Sequence, residues 1–247
     1  MKRLVIFDLD GTLLYTVPDI AAATNQALAA CGYPVHSEAE IASYIGNGIN
    51  KLFERALPKA SRSQEEVLRI RSLFLPYYGE HCADMTRPFD GIPELLTGIC
   101  RHGIKVAVAS NKYHPATVKL IQHFFPETPF CAVFGERKGV PRKPEPMIVW
   151  DILRKAGISV SDDGRESVLY VGDSGVDMQT AANAGIEAVA VTWGCRTREE
   201  LASCSPAYIV DRPEQIADIL FNDTSCRCLD EGNRPTHADA SSLRDSI

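Results

Sequence analysis

No apolar run in the sequence approaches the roughly 18–20 residues that a membrane span requires, and no block of clustered Lys and Arg occurs anywhere. The first absence leaves no spanning segment. The second removes the cation stripe that neutralises a nucleic-acid backbone, so neither membrane nor nucleic acid is expected as a partner. The apolar run nearest the N-terminus, residues 4–7, is too short for a signal-peptide core and runs directly into Asp8 and Asp10. A cytoplasmic protein is expected. Also missing are a C-x-x-C pair and His residues at zinc-ligand spacing. The 8 cysteines (Cys31, Cys82, Cys100, Cys131, Cys195, Cys204, Cys226 and Cys228) are scattered, and they read as reduced, mainly buried thiols. Cys226 and Cys228 are the exception, since they sit in a polar tail and are free to react.

What is present is ordinary globular material: 45% hydrophobic and 23% charged residues, with 26 Lys plus Arg against 32 Asp plus Glu. At 247 residues the chain suits one domain carrying an insertion. Short apolar runs at 4–7, 106–109, 168–171 and 188–191 alternate with helical patterns at 93–101, 116–124, 147–156 and 178–184. Such alternation predicts an α/β fold whose parallel sheet is covered on both faces. The pattern breaks after the first strand. Helices are predicted at 19–30, 38–44, 49–57 and 64–78, with turn signals between them and no strand. The organisation expected is a sheet domain at 1–15 and 86–221, a helical insertion at 16–85, and a polar tail at 222–247 too poor in apolar residues to pack.

Asp8 and Asp10 lie where the first strand gives way to a Gly turn, and ligand crevices in open α/β sheets lie outside the carboxyl ends of the strands. Two acids so close repel unless a cation sits between them, and oxygen-only ligands suit Mg²⁺. A strand-ending Asp plus an Asp-Gly turn reads equally well in isolation. The other strand ends decide between these readings. The run at 106–109 ends in Ser110-Asn111-Lys112, and the run at 168–171 ends in Gly172-Asp173-Ser174-Gly175-Val176-Asp177, so Asp8, Asp10, Ser110 and Asp173 converge on one sheet edge. Lys143-Pro144 adds a cation just before a helix start.

With Asp8-Leu9-Asp10-Gly11-Thr12, Ser110-Asn111, Lys143-Pro144 and Gly172-Asp173-Ser174-Gly175-Val176-Asp177 in this order, the chain resembles the haloacid dehalogenase superfamily of phosphotransferases. The resemblance implies a Rossmann-like core with an inserted helical cap. It makes Asp8 the nucleophile and Asp10 the acid and base, with Thr12 in support, and it marks the reaction as phosphate rather than carbon–halogen chemistry because Asp10 is acidic. Mg²⁺ would be held by Asp8, the Asp10 main-chain carbonyl and Asp173. Ser110, Asn111 and Lys143 would bind the phosphoryl group, and Asp177 would orient a water or Lys143, unless it is simply an acid favoured in a helix's first turn.

The insertion is similar to the phosphoglycolate phosphatase subfamily, through Thr16-Val17-Pro18-Asp19 and Gly46-Asn47-Gly48 with the helix that follows. That helix start offers free amides to an anion, with Lys51 and Arg55 on one of its faces adding charge; ordinary turn chemistry and a solvated helix face account for the same residues. Tyr15-Thr16 departs from the usual Asp-Ser pair, and Thr16 is expected to cap its helix with Asp19 as reciprocal partner. The expected activity is a Mg²⁺-dependent phosphatase acting on a small phosphate ester, 2-phosphoglycolate first, in a monomer or homodimer. The alternatives are a sugar phosphomutase or pyrophosphatase on the same core, or a binding protein without catalysis.

Overall fold

The computed structural model describes residues 1–221, so the tail expected at 222–247, with Cys226 and Cys228, lies outside the described residues. The chain opens with β1 (Leu4–Phe7), every residue of which is buried, as a strand covered on both faces must be. After the Asp-Gly turn come β2 (Leu14–Tyr15) and the helices α1 (Val17–Ala30), α2 (Glu38–Tyr44), α3 (Ile49–Ala56) and α4 (Gln64–His81). The chain then returns through β3 (Arg87–Pro88), α5 (Ile92–Arg101), β4 (Lys105–Tyr113), α6 (His114–Phe124) and β5 (Phe130–Glu136). It finishes with α7 (Met147–Ala156), α8 (Asp162–Glu166), β6 (Val168–Gly172), α9 (Gly175–Ala184), β7 (Glu187–Val191), α10 (Arg198–Ala202), β8 (Tyr208–Val210) and α11 (Glu214–Phe221).

Six strands form one sheet in the order β5-β4-β1-β6-β7-β8, and every neighbouring pair is parallel. From β1 the chain first builds outward through β4 and β5, then crosses to add β6, β7 and β8 on the other side. The topological switch point, where α/β sheets open a crevice, therefore falls at β1. Phe7 stands opposite both Val108 and Val171. That register brings Asp8, Ser110 and Asp173 out along the same edge.

Side chains alternate across the sheet. Val5 and Phe7 pack with α5, α6 and α11, whereas Leu4 and Ile6 pack with α7, α9 and α10. Each large apolar side chain so buried contributes roughly 1.5–3 kcal/mol, which makes the sheet a stiff base for the residues at its edge. Strands β5 and β8 escape the sequence reading because they lie at the sheet's margins and are only half-buried, so neither forms a continuous apolar run.

The apolar side chains of the helical cap are continuous with the core on the face of the sheet that carries Val5 and Phe7; among them Phe53 meets Phe74 edge-on at 5.2 Å and Phe74 stacks on Tyr78 at 5.0 Å. Ser37 closes the start of α2 with a capping box, and Ser63 caps α4. The reciprocal Thr16–Asp19 cap expected for α1 does not form, because both side chains are used elsewhere. Thr16 Oγ1 donates to Asp10 Oδ1 at 2.8 Å. The Asp19 carboxylate accepts the Met85 and Thr86 amides, which ties the cap's first helix to its exit. At this crossing β2 and β3 pair antiparallel, with Tyr15 opposite Arg87. The Tyr15 ring lies 4.7 Å from the Arg87 guanidinium and edge-on to Phe89.

Of the described cysteines only Cys82 is fully buried; Cys31, Cys100, Cys131 and Cys195 are half-buried, Cys204 is exposed, and all are free thiols. The expectation of mainly buried thiols is corrected accordingly: Cys131 lies in the marginal strand β5, Cys31 and Cys100 at helix ends, and Cys195 and Cys204 in loops. No helix among the described residues is long and apolar enough to cross a membrane.

Candidate active site

Asp8 follows β1 at the switch point and is buried. Lys143 Nζ lies 2.9 Å from Asp8 Oδ1 and 2.7 Å from Asp177 Oδ1. The same ammonium donates to the Ala109 carbonyl and lies 3.1 Å from the Tyr170 hydroxyl. Burial works against its charge, but the two facing carboxylates outweigh burial and hold its pKa well above the usual lysine value, so it is a permanent cation. Its contact with Asp8 is off the hydrogen-bonding direction, and Asp8 Oδ1 is left buried without a hydrogen bond.

Asp173, after β6, is wrapped tightly. Its Oδ2 accepts the Cys195 amide at 2.8 Å. Gly11, at φ +85°, and Gly194 approach it so closely that a methyl group on either would collide with the carboxylate. Asp177 is engaged at both carboxylate oxygens. Oδ2 completes a capping box with Ser174 at the start of α9, and Oδ1 holds Lys143.

The Asp10 side chain accepts at Oδ1 from Thr16 and, at 2.9 Å, from Lys112 Nζ. Ser110 is buried, and its Oγ accepts the Lys112 amide. The Asn111 side chain accepts the Lys143 amide, and its Nδ2 donates to the carbonyls of Lys143 and Gly46, so it joins the lysine loop to the cap. Thr12 is buried beneath the site rather than in it, with its carbonyl accepting the Trp193 indole at 3.1 Å.

These groups surround a cavity of about 70 Å³ lined by Asp8, Asp10, Ser110, Lys143 and Asp173 below and by Gly46 and Gly48 of the cap above. The cap cations stand apart from it. Lys51 pairs with Glu54 at 2.6 Å on an exposed face, and Arg55 braces its own loop by donating to the Tyr44 carbonyl and to Asn47 Oδ1. Charge on the cavity wall instead comes from Lys112, Lys143 and Arg196, all on the sheet domain. Sequence reasoning missed Lys112 and Arg196. An isolated Lys after a strand or an Arg in a loop reads as a solvated surface residue, and only the adjacency of Lys112 to Ser110-Asn111 offered a signal.

The acids are under electrostatic strain. Burial, aggravated by Asp177 and Asp10 and partly offset by Lys143, pushes the Asp8 carboxyl up to about 7. Burial and the neighbouring Asp177 and Asp8 push Asp173 up to about 8. Carboxylate oxygens of Asp8, Asp173 and Asp177 lie within 4.8 Å of one another. Asp177 is fully engaged with Lys143 and Ser174, whereas Asp8 has an oxygen without a hydrogen bond, and the donors are all hard oxygens. This set fits a divalent cation.

A carboxylate poised beside a fixed ammonium, at a sheet edge that offers a serine hydroxyl to anionic oxygens, is equipment for moving a phosphoryl group. With the helical cap above it, the class is that of a capped α/β hydrolase. The chain belongs to the haloacid dehalogenase-like hydrolase family, whose model matches residues 5–191. It is 34% identical to the phosphoglycolate phosphatase of Pectobacterium atrosepticum, covering 88% of this chain and 91% of that one. Identity to the enzyme of that name from Vibrio cholerae is 33%, over 89% and 97% of the two chains. A crystal structure from Lactobacillus delbrueckii subsp. bulgaricus, assigned the same name by prediction, superposes with a TM-score of 0.82 at 32% identity, over 89% and 99%. The chain is thus a phosphoric monoester hydrolase.

Proposed function

We propose that this enzyme hydrolyses a small anionic phosphate monoester, 2-phosphoglycolate, through an aspartyl phosphate on Asp8. The observation that carries the reading is Lys143 fixed between Asp8 and Asp177 in the wall of the cavity beneath the cap. The names of the relatives support the substrate.

In the reaction the Asp8 carboxylate attacks phosphorus, and the ester oxygen leaves with its bonding electrons. Asp10 gives that oxygen a proton, then takes one from the water that attacks the acyl phosphate, which releases phosphate and restores Asp8. Lys143 offsets the charge gathered by Asp8 and the phosphoryl oxygens, while the Ser110 hydroxyl and the Asn111 main-chain amide donate to those oxygens. Lys112 and Thr16 hold the Asp10 carboxylate in place. A divalent cation, for which Mg²⁺ is the hard-ligand choice, would be held by Asp8, Asp173 and the Asp10 main-chain carbonyl, and when bound supplies the positive charge that keeps Asp8 ionised at neutral pH. Phosphate release measured side by side from 2-phosphoglycolate, pyrophosphate and hexose phosphates with Mg²⁺ tests the reading. Preference for phosphoglycolate is expected, and negligible hydrolysis of it overturns the assignment in favour of a mutase or pyrophosphatase.

A further inference from the structure

The cavity wall carries one cation that the phosphoryl chemistry does not use. Of its cations, Lys112 is matched by Asp10, and Lys143 by Asp8 and Asp177. Arg196 has no carboxylate partner among the described residues. Its guanidinium donates only to main-chain carbonyls: Ile45 at 2.9 Å and, at longer range, Cys195 at 3.4 Å and Ser43 at 3.5 Å. Asp173 feels its charge but accepts the Cys195 amide instead. Five N–H donors in a fixed fork exceed what these carbonyls take up, so donors are left for a ligand.

Position adds to this. Arg196 sits on the loop after β7, and its Nη2 is 3.9 Å from where a side chain on Gly46 would begin. The same cavity is lined elsewhere by the apolar Ile20, Ile45, Ile49, Leu52 and Phe74. An ionised carboxylate brought into such a cavity without a cation would pay a large desolvation penalty. A guanidinium answers a carboxylate with paired, charge-assisted hydrogen bonds.

We propose that Arg196 is the residue that reads the carboxylate of the substrate, taking over the role first expected of Lys51 and Arg55, and that through the Ile45 carbonyl it couples this recognition to the seated cap. The assignment rests on the reading of the substrate as a carboxylated phosphate ester. Binding the carboxylate in ground state and transition state alike makes the contribution chiefly one to KM.

The test compares 2-phosphoglycolate with ethyl phosphate, in which a methyl group replaces the carboxylate, in the wild type, Arg196→Met and Arg196→Gln, all with saturating Mg²⁺. Glutamine keeps an amide able to donate to the cap carbonyl, so it removes the charge without removing every cap contact, and it carries the test if the Met variant does not fold. The wild type is expected to favour phosphoglycolate. Both variants should shrink the ratio of kcat/KM between the two esters by about 10- to 100-fold, mostly through KM. Equal losses on both esters would show that Arg196 only latches the cap, overturning the proposal while leaving the substrate standing. A wild type indifferent to the carboxylate would overturn the substrate reading and the role of Arg196 together.

Discussion

Lys143 sums up what the site requires of a single side chain. It is buried and always charged, and it faces Asp8 and Asp177 at 2.9 and 2.7 Å. Removing one partner from a buried ion pair costs about 3–5 kcal/mol, because the remaining charge is left unmatched. Lys143→Met is therefore expected to lower the melting temperature by many degrees and to abolish turnover, with the loss of stability larger at pH 8 than at pH 5.5. The sign follows from the Asp8 carboxyl. Without the ammonium, Asp8 holds its proton to higher pH, and the folded state is penalised as pH rises and that proton is lost. A melting temperature unchanged across that range would contradict the placement. Lys143 was legible in the sequence because Pro144 and the strand-end motifs set its context. Tyr170, which supports it, was not, since a tyrosine in an apolar strand gives no sign of where its hydroxyl points.

Among the elements, the strands at the centre of the sheet were legible and those at its margins were not. β1 was read with its boundaries because burial on both faces leaves an unbroken apolar run, while β5 and β8 mix polar and apolar residues. The strands β2 and β3, with two residues each, fall below any periodic signal, yet they set the crossing between sheet and cap. Helix α1 gives the clearest disagreement. Its Thr16 was expected to be a cap and instead reaches Asp10. A substitution separates the two roles: an N-cap loss costs typically about 1 kcal/mol, whereas Thr16→Val should leave stability within about 0.5 kcal/mol and lower kcat several-fold by loosening Asp10. Urea unfolding together with steady-state kinetics reads both quantities. A drop in stability with kcat intact would restore the capping role.

For the molecule as a whole, the active site is a stability deficit held in place by the sheet. Asp8 at about 7 and Asp173 at about 8 titrate far above an ordinary aspartate, burial being the main cause for each. Raised carboxyl values mean that the folded chain binds more protons than the unfolded one between about pH 4 and pH 8, so stability without divalent cation is greatest at the acid end and falls as pH rises through that window. Each group contributes a slope of at most about 1.4 kcal/mol per pH unit. Mg²⁺ should accordingly raise the melting temperature more at pH 8 than at pH 5.5; a Mg²⁺ effect independent of pH would argue against the carboxylates as its ligands. The architecture and the convergence of strand ends were readable from spacing alone. The distribution of charge on the cavity wall was not, because it depends on which loops the cap meets. Phosphate release from 2-phosphoglycolate by Asp8→Asn, beside the wild type, tests the central claim most directly. The account predicts a loss of about 10³-fold or more in kcat, with a melting temperature no lower than that of the metal-free wild type, because burial penalises the Asp8 charge more than Lys143 offsets it and Lys143 keeps Asp177 as its partner; turnover retained in a folded Asp8→Asn enzyme would contradict it.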